Sequence, residues 1–220
     1  MKTTAIIVAA GTGSRFKSDT PKQFLDLAGK PVIVRTLERF QNAEAIDSIV
    51  LVLPATRINV ADFAFTKLGK IVAGGDTRAE SVLNGLNATA DADIVAVHDG
   101  ARPLVSTDEI DRTVARAKEM GAACLVAAVT DTIKSIRGNE ISGTLDRNKL
   151  RRALTPQAFK IEVLRRAFEM GEIDEDVTDE CFLVEKLGHP IAFVEGSARN
   201  IKITNPDDLR LAEIIYRDDA

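Results

Sequence analysis

The sequence is short of the residues that build zinc sites, disulfide frameworks and membrane spans. It has two cysteines, two histidines, one tyrosine and no tryptophan among 220 residues. Cys124 and Cys181 form no C-x-x-C pair, and His98 and His189 stand at no ligand spacing, which argues against a zinc site. No apolar run is long enough to span a bilayer. A chain of this length can bury a sizeable core without disulfides or a structural metal.

Charge and the start of the chain exclude two further classes. The formal net charge is −4, which argues against non-specific binding of nucleic acid. Lys2 is followed by a short apolar run that ends in a glycine loop, which is not the pattern of a secretory signal peptide. We therefore expect a cytoplasmic protein that binds neither nucleic acid nor membrane. Its length suits one domain, residues 1–220.

Apolar runs and helical spacing alternate along the first part of the chain. Runs typical of strands covered on both faces occupy 4–8, 48–53, 70–73, 94–97 and 122–128. Helical spacing occupies 32–40, 59–68, 78–88 and 108–120. This order predicts an α/β fold, Rossmann-like, with a mostly parallel sheet and helices on both faces. In such sheets, ligands bind beyond the carboxyl ends of the strands.

The later part of the chain predicts a protruding hairpin and a return to the α/β pattern. A hairpin is predicted over 132–145, with a Gly-Asn turn, inside a β-arm at about 131–153. Such an arm has an exposed apolar face that needs cover, and a partner subunit is one way to supply it. Helices are predicted over 160–170 and 177–187, the second capped by Thr178 or Asp179, and strands over 191–194 and 200–204. Pro206 is expected to start the last helix, whose apolar side is predicted to be Leu209, Leu211, Ala212 and Ile215.

The stretch that organises the chain is 9–22, which reads AAGTGSRFKSDTPK. Gly11 and Gly13 allow a tight turn and a close approach of the backbone to a ligand. Backbone N–H groups in such a loop form an anion-binding concavity. Arg15 and Lys22 add two cations. The loop therefore predicts a polyphosphate site.

Two familiar phosphate motifs are absent from this loop. A Walker A loop ends in Gly-Lys-Ser/Thr, which does not occur here, and a dinucleotide fingerprint needs glycine where Phe16 stands. A bare G-x-G is equally compatible with a structural turn. The spacing to Pro21-Lys22-Gln23 changes this, because the combined pattern resembles the signature loop of nucleotidyltransferases that activate sugar and polyol phosphates.

Two more loops combine glycine, aspartate and arginine at predicted strand ends. They are GGDTRAES at 74–81 and HDGARP at 98–103. Their convergence on one sheet edge indicates a binding site. Simpler interpretations stay open for single residues: Asp76 as a helix N-cap, Asp99 as a solvated turn carboxylate and Lys202 as a solvated strand lysine.

Eight motifs in order resemble the 2-C-methyl-D-erythritol 4-phosphate cytidylyltransferase family. They are AAGTGSR (9–15), PKQ (21–23), GGDTRAESV (74–82), HDGARP (98–103), DRN (146–148), LTPQAF (154–159), TDE (178–180) and NIKIT (200–204). The ribitol 5-phosphate cytidylyltransferases share much of this pattern. They typically have A-G-G at 9–11 and H-D-A-V-R-P at 98–103, so both segments favour the methylerythritol family. A non-catalytic nucleotide-binding protein on the same fold is the remaining alternative.

The resemblance assigns roles to residues. It implies that the CTP triphosphate is held by Ala9, Ala10, Gly11, Gly13, Arg15 and Lys22. It implies that cytosine and its sugar contact Gly75, Asp76 and Ser81. It implies that the acceptor is bound by Asp99, Arg102, Arg147, Thr155, Thr178 and Lys202, with Arg147 and Thr155 reaching the other subunit of the homodimer. The catalytic residues would be Arg15, Lys22, Asp99, Arg147 and Lys202.

The implied chemistry needs no general base. A phosphomonoester oxygen of the polyol phosphate, already anionic near neutral pH, attacks the α-phosphorus of CTP and pyrophosphate leaves. Positioning and electrostatic stabilisation would carry the catalysis. Mg²⁺ bridging the phosphates would neutralise further charge, with Asp99 as the expected carboxylate near the metal, directly or through water. The product would be 4-diphosphocytidyl-2-C-methyl-D-erythritol, in the non-mevalonate route to isoprenoid precursors.

Overall fold

The computed structural model describes residues 1–11, 16, 20–60, 63–89, 91–171 and 177–218. Its strands are β1 (Thr3–Val8), β2 (Asp26–Leu27), β3 (Lys30–Pro31), β4 (Ser48–Leu53), β5 (Leu68–Ala73), β6 (Ile94–Asp99), β7 (Ala122–Ala128), β8 (Lys134–Arg137), β9 (Glu140–Thr144), β10 (Arg151–Lys160) and β11 (Ala192–Glu195). Its α-helices are α1 (Val32–Asn42), α2 (Arg78–Ala88), α3 (Thr107–Met120), α4 (Ile161–Met170), α5 (Glu180–Lys186) and α6 (Pro206–Asp218). Short 3-10 helices occupy Lys22–Phe24, Ala55–Val60 and Arg147–Lys149. None of the helices in these described ranges is long and apolar enough to cross a membrane.

Seven strands form the central sheet, in the order β11-β7-β10-β6-β1-β4-β5. β1 is parallel to β4 and β6, β4 to β5, and β11 to β7, whereas β10 is antiparallel to both β6 and β7. The predicted α/β fold with a mostly parallel sheet is therefore confirmed. β10 was not predicted from the sequence. Pro156 interrupts its pattern, and its register with β7 shifts between Ala153 and Gln157.

Helices cover both faces of the sheet because successive side chains of each strand point to opposite sides. Ile7 and Leu51 pack on one side with residues of α1 and α3, such as Phe40. Ile6 and Val52 pack on the other side with α2, α4 and α5. Burial of these apolar side chains on both faces supplies most of the driving force for folding.

Capping boxes fix where α2 and α3 begin. Thr77 caps α2: its hydroxyl accepts the Glu80 N–H at 3.1 Å, and the Glu80 carboxylate accepts the Thr77 N–H at 3.0 Å. Ser106 and Glu109 make the same pair at the start of α3. The alternative that Asp76 is the N-cap of α2 is therefore wrong. Asp179, one of the two predicted caps, is the N-cap of α5.

The predicted hairpin is confirmed as a separate two-stranded sheet. β8 and β9 pair antiparallel across a turn in which Gly138 has φ +58°. Ile136 and Ile141 are 73% and 67% exposed, and Leu145 beside them is also exposed. The hairpin thus presents apolar side chains to solvent, away from the central sheet.

Three local predictions are wrong. The helix predicted over 59–68 is wrong: in the described part of that segment, residues 59 and 60 end the 3-10 helix, residues 63–67 form no helix, and the Lys67 carbonyl accepts the Ile49 N–H of the sheet. Residues 200–204 form no strand; they cross the strand ends, with the Ile203 N–H bonded to the Ala101 carbonyl at 2.9 Å. Leu211 is 47% exposed, whereas Ala212 and Ile215 of α6 are buried as predicted.

Candidate active site

A cleft of about 470 Å³ opens at the carboxyl ends of β1, β5 and β6. It brings together the three predicted loops and the segment before α6. Its lining residues are Val8, Ala9, Ala10, Gly11, Lys22, Gln23, Gly75, Asp76, Thr77, Arg78, Ser81, Asp99, Ala101, Lys202 and Thr204. The predicted convergence of the loops on one sheet edge is confirmed. Gly13 and Arg15 lie outside the described residues.

The glycine loop leaves β1 in tight contact with its neighbours. A Cβ on Gly74 would lie 2.2 Å from the Ala10 Cβ, and one on Gly100 would lie 2.8 Å from the Ala9 Cβ. The buried Gln23 ties the loop to its return segment: its Nε2 donates to the Ala9 carbonyl at 2.7 Å and the Gly11 carbonyl at 3.1 Å. The sequence drew attention to Gln23 only as part of a motif, whereas the structure gives it this bracing role.

The start of α2 forms one wall of the cleft. Ser81 Oγ donates to the Thr77 carbonyl at 2.9 Å and accepts the Gly75 N–H at 3.1 Å. The Asp76 N–H donates to the Glu80 carboxylate at 2.7 Å. These bonds hold the turn from Gly75 to Ser81 and leave the Asp76 side chain exposed. A carboxylate so placed can accept a hydrogen bond from a ligand amine.

Asp99 is buried and holds three cations. Arg78 Nε lies 3.1 Å from its Oδ1, and Arg102 Nε and Lys202 Nζ lie 3.3 and 2.9 Å from its Oδ2. Burial alone would raise the pKa of this carboxyl, but Arg78, Lys202 and Arg102 hold it well below its usual range. The alternatives that Asp99 is a solvated turn carboxylate and Lys202 a solvated strand lysine are therefore wrong.

Arg78 also makes a paired contact with Glu180, which sequence analysis did not single out. Its NH1 and NH2 groups donate to the two Glu180 oxygens at 2.7 and 3.1 Å. Burial raises the pKa of Glu180. Burial disfavours charged Arg78, but Glu180 and Asp99 more than offset this and raise the pKa of Arg78. The two residues belong to two quoted motifs, yet no local pattern shows that these motifs meet.

A chain of hydrogen bonds behind Asp99 fixes the end of β6. The Asp99 N–H donates to Thr155 Oγ1 at 3.2 Å. His98 Nε2 lies 3.1 Å from the Arg102 carbonyl, which can only accept, so Nδ1 accepts from the Thr155 hydroxyl at 3.0 Å. Burial lowers the pKa of His98 to about 3. Within its own chain, Thr155 therefore supports Asp99 from behind.

The other predicted acceptor residues lie off the lining of the cleft. Arg102 bridges Asp99 and the Asn200 carbonyl, 2.8 Å from its NH1. Arg147 is exposed near the foot of the hairpin, where its NH1 donates to the Thr130 carbonyl at 2.5 Å. Thr178 is exposed just before α5. Their roles in acceptor binding stay predictions.

The residues around Asp99 do not suit direct coordination of a metal. Both Asp99 oxygens are engaged by cations, which compete with Mg²⁺ for the same lone pairs. Among the described residues, no group of three or more Asp, Glu, His or Cys side chains is placed to hold an ion. This donor set fits a metal that is carried by ligand phosphates and does not fit one held by the protein alone.

Comparison with known proteins agrees with the geometry. The family model described as IspD, 2-C-methyl-D-erythritol 4-phosphate cytidylyltransferase, matches residues 3–218. The cytidylyltransferase of that name from Geobacillus kaustophilus is 42% identical, over 96% of this chain and 95% of the relative. The structure of that name from Thermus thermophilus has a TM-score of 0.80 at 34% identity, covering 99% of this chain and 100% of the other. The 4-diphosphocytidyl-2C-methyl-D-erythritol synthase structure from Anaerococcus prevotii has a TM-score of 0.84 at 27% identity, covering 98% and 96%. Since the match in sequence and fold runs from β1 to α6, the chain belongs to the 2-C-methyl-D-erythritol 4-phosphate cytidylyltransferase family.

Proposed function

We propose that this protein transfers CMP from CTP to 2-C-methyl-D-erythritol 4-phosphate, giving 4-diphosphocytidyl-2-C-methyl-D-erythritol and pyrophosphate. The observation that carries the proposal is the cluster of three cations on Asp99, which lines the cleft together with the glycine loop. Cations outnumber carboxylates there even when Glu180 is included. Such a site suits two phosphate-bearing substrates that must be brought together against their mutual repulsion. Membership of the family supports the choice of substrates.

The two lysines of the cleft come from distant segments but are tied together. Lys22 Nζ donates at 2.8 Å to the carbonyl of Ile203, the residue next to Lys202. Both lysines also line the cleft. The attacking phosphate oxygen is already anionic, so these side chains need only orient substrates and meet charge as it develops on the α-phosphate and the leaving pyrophosphate. Arg15 is proposed to join them.

The glycine loop and the start of α2 are proposed to bind the nucleotide, together with a divalent cation. Ala9, Ala10, Gly11 and Gly13 are proposed to cradle the triphosphate, while Gly75, Asp76 and Ser81 contact cytosine and its ribose. Mg²⁺ held mainly by the CTP phosphates would supply charge neutralisation. Asp99 is proposed to stay in its ion cluster and to help position the acceptor with Arg102 and Lys202.

We also propose that the active unit is a homodimer joined through the β-arm at about 131–153. Exposed Ile136, Ile141 and Leu145 support this, because apolar side chains on a protruding hairpin are stabilised by burial against a second surface. Arg147 would then reach the acceptor phosphate of the partner subunit, with Thr155 and Thr178 nearby. Both cysteines are free thiols, which suits a cytoplasmic location.

The test of the proposed function is release of pyrophosphate from CTP and Mg²⁺ with each acceptor in turn. Turnover with 2-C-methyl-D-erythritol 4-phosphate, well above that with ribitol 5-phosphate, is the expected result. Preference for ribitol 5-phosphate would reassign the acceptor. Absence of turnover with both acceptors would favour the non-catalytic alternative.

A further inference from the structure

We infer that Glu180 is a positioning residue for the reaction, acting on the cleft through Arg78. The inference rests on the proposed function, because the role concerns that same cleft. Glu180 is fully buried and does not line the cleft, whereas Arg78 does. The carboxylate thus contacts the guanidinium from the side away from the cleft, and Arg78 itself lines the cleft.

The geometry of the pair fixes the plane of the guanidinium. Glu180 is the first residue of α5 and Arg78 the first residue of α2, so the bond joins the starts of two helices. Its two parallel N–H···O contacts, at 2.7 and 3.1 Å, are the paired arrangement that gives arginine its directional specificity. With that edge held, Nε points to Asp99 Oδ1 at 3.1 Å.

This arrangement leaves donors for a ligand. A guanidinium carries five N–H groups, and the contacts with Glu180 and Asp99 use three of them. Two remain on a side chain that is 25% exposed in the cleft. An oxygen of a bound phosphate is the natural acceptor for such donors.

Stability alone is a weak explanation for the pair. A buried ion pair recovers its desolvation cost only with good geometry, and apolar residues of similar volume are often as stable. Glu180 also lowers the positive charge of a site that must bind anions. If its effect were only electrostatic, removing its charge would strengthen CTP binding and leave turnover intact. If it positions Arg78, removing the charge slows turnover while CTP binding is not weakened.

The experiment compares Glu180→Gln and Glu180→Asp with Glu109→Gln as the matched control. Glu109 is also a buried carboxylate near the start of a helix, bonded to the Ser197 N–H, and it does not line the cleft. We expect Glu180→Gln to lower kcat by about 10- to 100-fold, less than complete loss of a donor would, because the Arg78 guanidinium is misaligned and not removed. The KM for CTP should be unchanged or lower. Glu180→Asp, which keeps the charge but draws it back by one methylene, should recover only part of kcat. Glu109→Gln should lower the Tm and leave kcat unchanged.

Two further measurements test whether Glu180 acts through Arg78. In an Arg78→Lys protein, the added Glu180→Gln change should lower kcat no further, because the guanidinium that Glu180 positions is already absent. The NMR resonances of the Arg78 NH1 and NH2 groups, which donate to Glu180, should be protected from solvent exchange in the wild-type protein and lose protection in Glu180→Gln. This last measurement needs no turnover, so it tests the pair even if the proposed function fails.

Three results would overturn the inference. They are an unchanged kcat in a folded Glu180→Gln protein, full additivity of the Arg78 and Glu180 changes, and Arg78 NH1 and NH2 resonances that are equally protected in both proteins. If Glu180→Gln does not fold, the Glu180→Asp protein decides the matter by the same readouts. Lack of turnover by the wild-type protein would instead refute the proposed function.

Discussion

Lys202 Nζ lies 2.9 Å from Oδ2 of Asp99, which joins the segment before α6 to the end of β6. The contact makes Asp99 the centre of a buried ion cluster, since Arg78 and Arg102 approach the same carboxylate. Removing this one negative charge would leave Arg102 and Lys202 without the carboxylate that they share, whereas Arg78 would keep Glu180. The cluster therefore links the electrostatics of the cleft to the stability of the fold.

The first prediction concerns Asp99→Asn. We expect this change to lower the free energy of unfolding at pH 7 by about 3 kcal/mol, as when one partner of a buried pair is removed. The pKa of Asp99 is lowered in the folded protein, so its contribution is complete above the unfolded pKa of about 4 and is lost only as pH falls below it. Urea unfolding at pH 7 and pH 5 should give the same difference between the two proteins. A difference that disappears already at pH 5 would contradict the ion cluster.

The second prediction concerns Lys22→Ala. We expect turnover to fall by roughly two to three orders of magnitude, with a smaller effect on CTP binding, because the ammonium meets charge that develops in the transition state. Lys70→Ala is the matched control: Lys70 also donates to a backbone carbonyl, Ala88, at 2.8 Å, but lies outside the lining of the cleft. Steady-state kinetics and CTP titrations on both variants decide the point. Near-normal turnover of Lys22→Ala would remove Lys22 from the mechanism.

The third prediction concerns the choice of nucleotide. CTP should be preferred over UTP, ATP and GTP, because the exposed Asp76 carboxylate can accept from the cytosine amino group, whereas uracil presents an acceptor at that position. Asp76→Ala should reduce the ratio of kcat/KM for CTP to that for UTP by about tenfold or more. Comparable kcat/KM values for CTP and UTP in the wild-type protein would refute the assignment of this loop.

The fourth prediction concerns Arg147 and the arm. Arg147→Ala should mainly raise the KM for the acceptor, because a guanidinium binds phosphate through paired donors. Arg137→Ala, an exposed arginine on the same hairpin, is the matched control. When Arg147→Ala and Lys22→Ala subunits are mixed, activity should partly return. If each site takes Lys22 from one subunit and Arg147 from the other, a mixed dimer has one site with both residues intact. If subunits exchange and no activity returns, Arg147 acts within its own chain.

The fifth prediction concerns His98. Its folded pKa of about 3 lies below the unfolded value of about 6.5, so the unfolded chain takes up a proton first on acidification. Its contribution to stability is therefore present above pH 6.5 and is lost as pH falls toward 3, by up to about 1.4 kcal/mol per pH unit. NMR should show ring resonances of His98 that do not move between pH 8 and pH 5. Titration of His98 near pH 6 would contradict the bonded arrangement at Thr155 and Arg102.

The sequence predicted best those strands and helices in which the apolar pattern and the residues at the two ends indicate the same element. The apolar runs of β4 and β7 and the helical spacing of α2 were placed within a residue of their observed bounds, because each run ends at a change in residue type. β10 was missed for the opposite reason. Its Pro156 lacks an N–H and its register shifts, so a strand inside the sheet carries the signal of a loop.

In the candidate site, too, local patterns could be predicted from the sequence and contacts between distant segments could not. Residues in glycine-rich loops at strand ends, such as Asp99 and Lys22, were found because the pattern is local. The contact of Arg78 with Glu180 was not, because it joins the starts of two helices that only the tertiary fold brings together. Nor did the sequence indicate that Thr155 lies behind Asp99, since this depends on β10 being next to β6.

β10 couples two regions that otherwise share little. Its first residue, Arg151, lies at the foot of the arm, and four residues later Thr155 holds the backbone of Asp99 and the ring of His98. A surface that packs against the foot of the hairpin therefore lies only four residues along the chain from the hydroxyl group that supports Asp99.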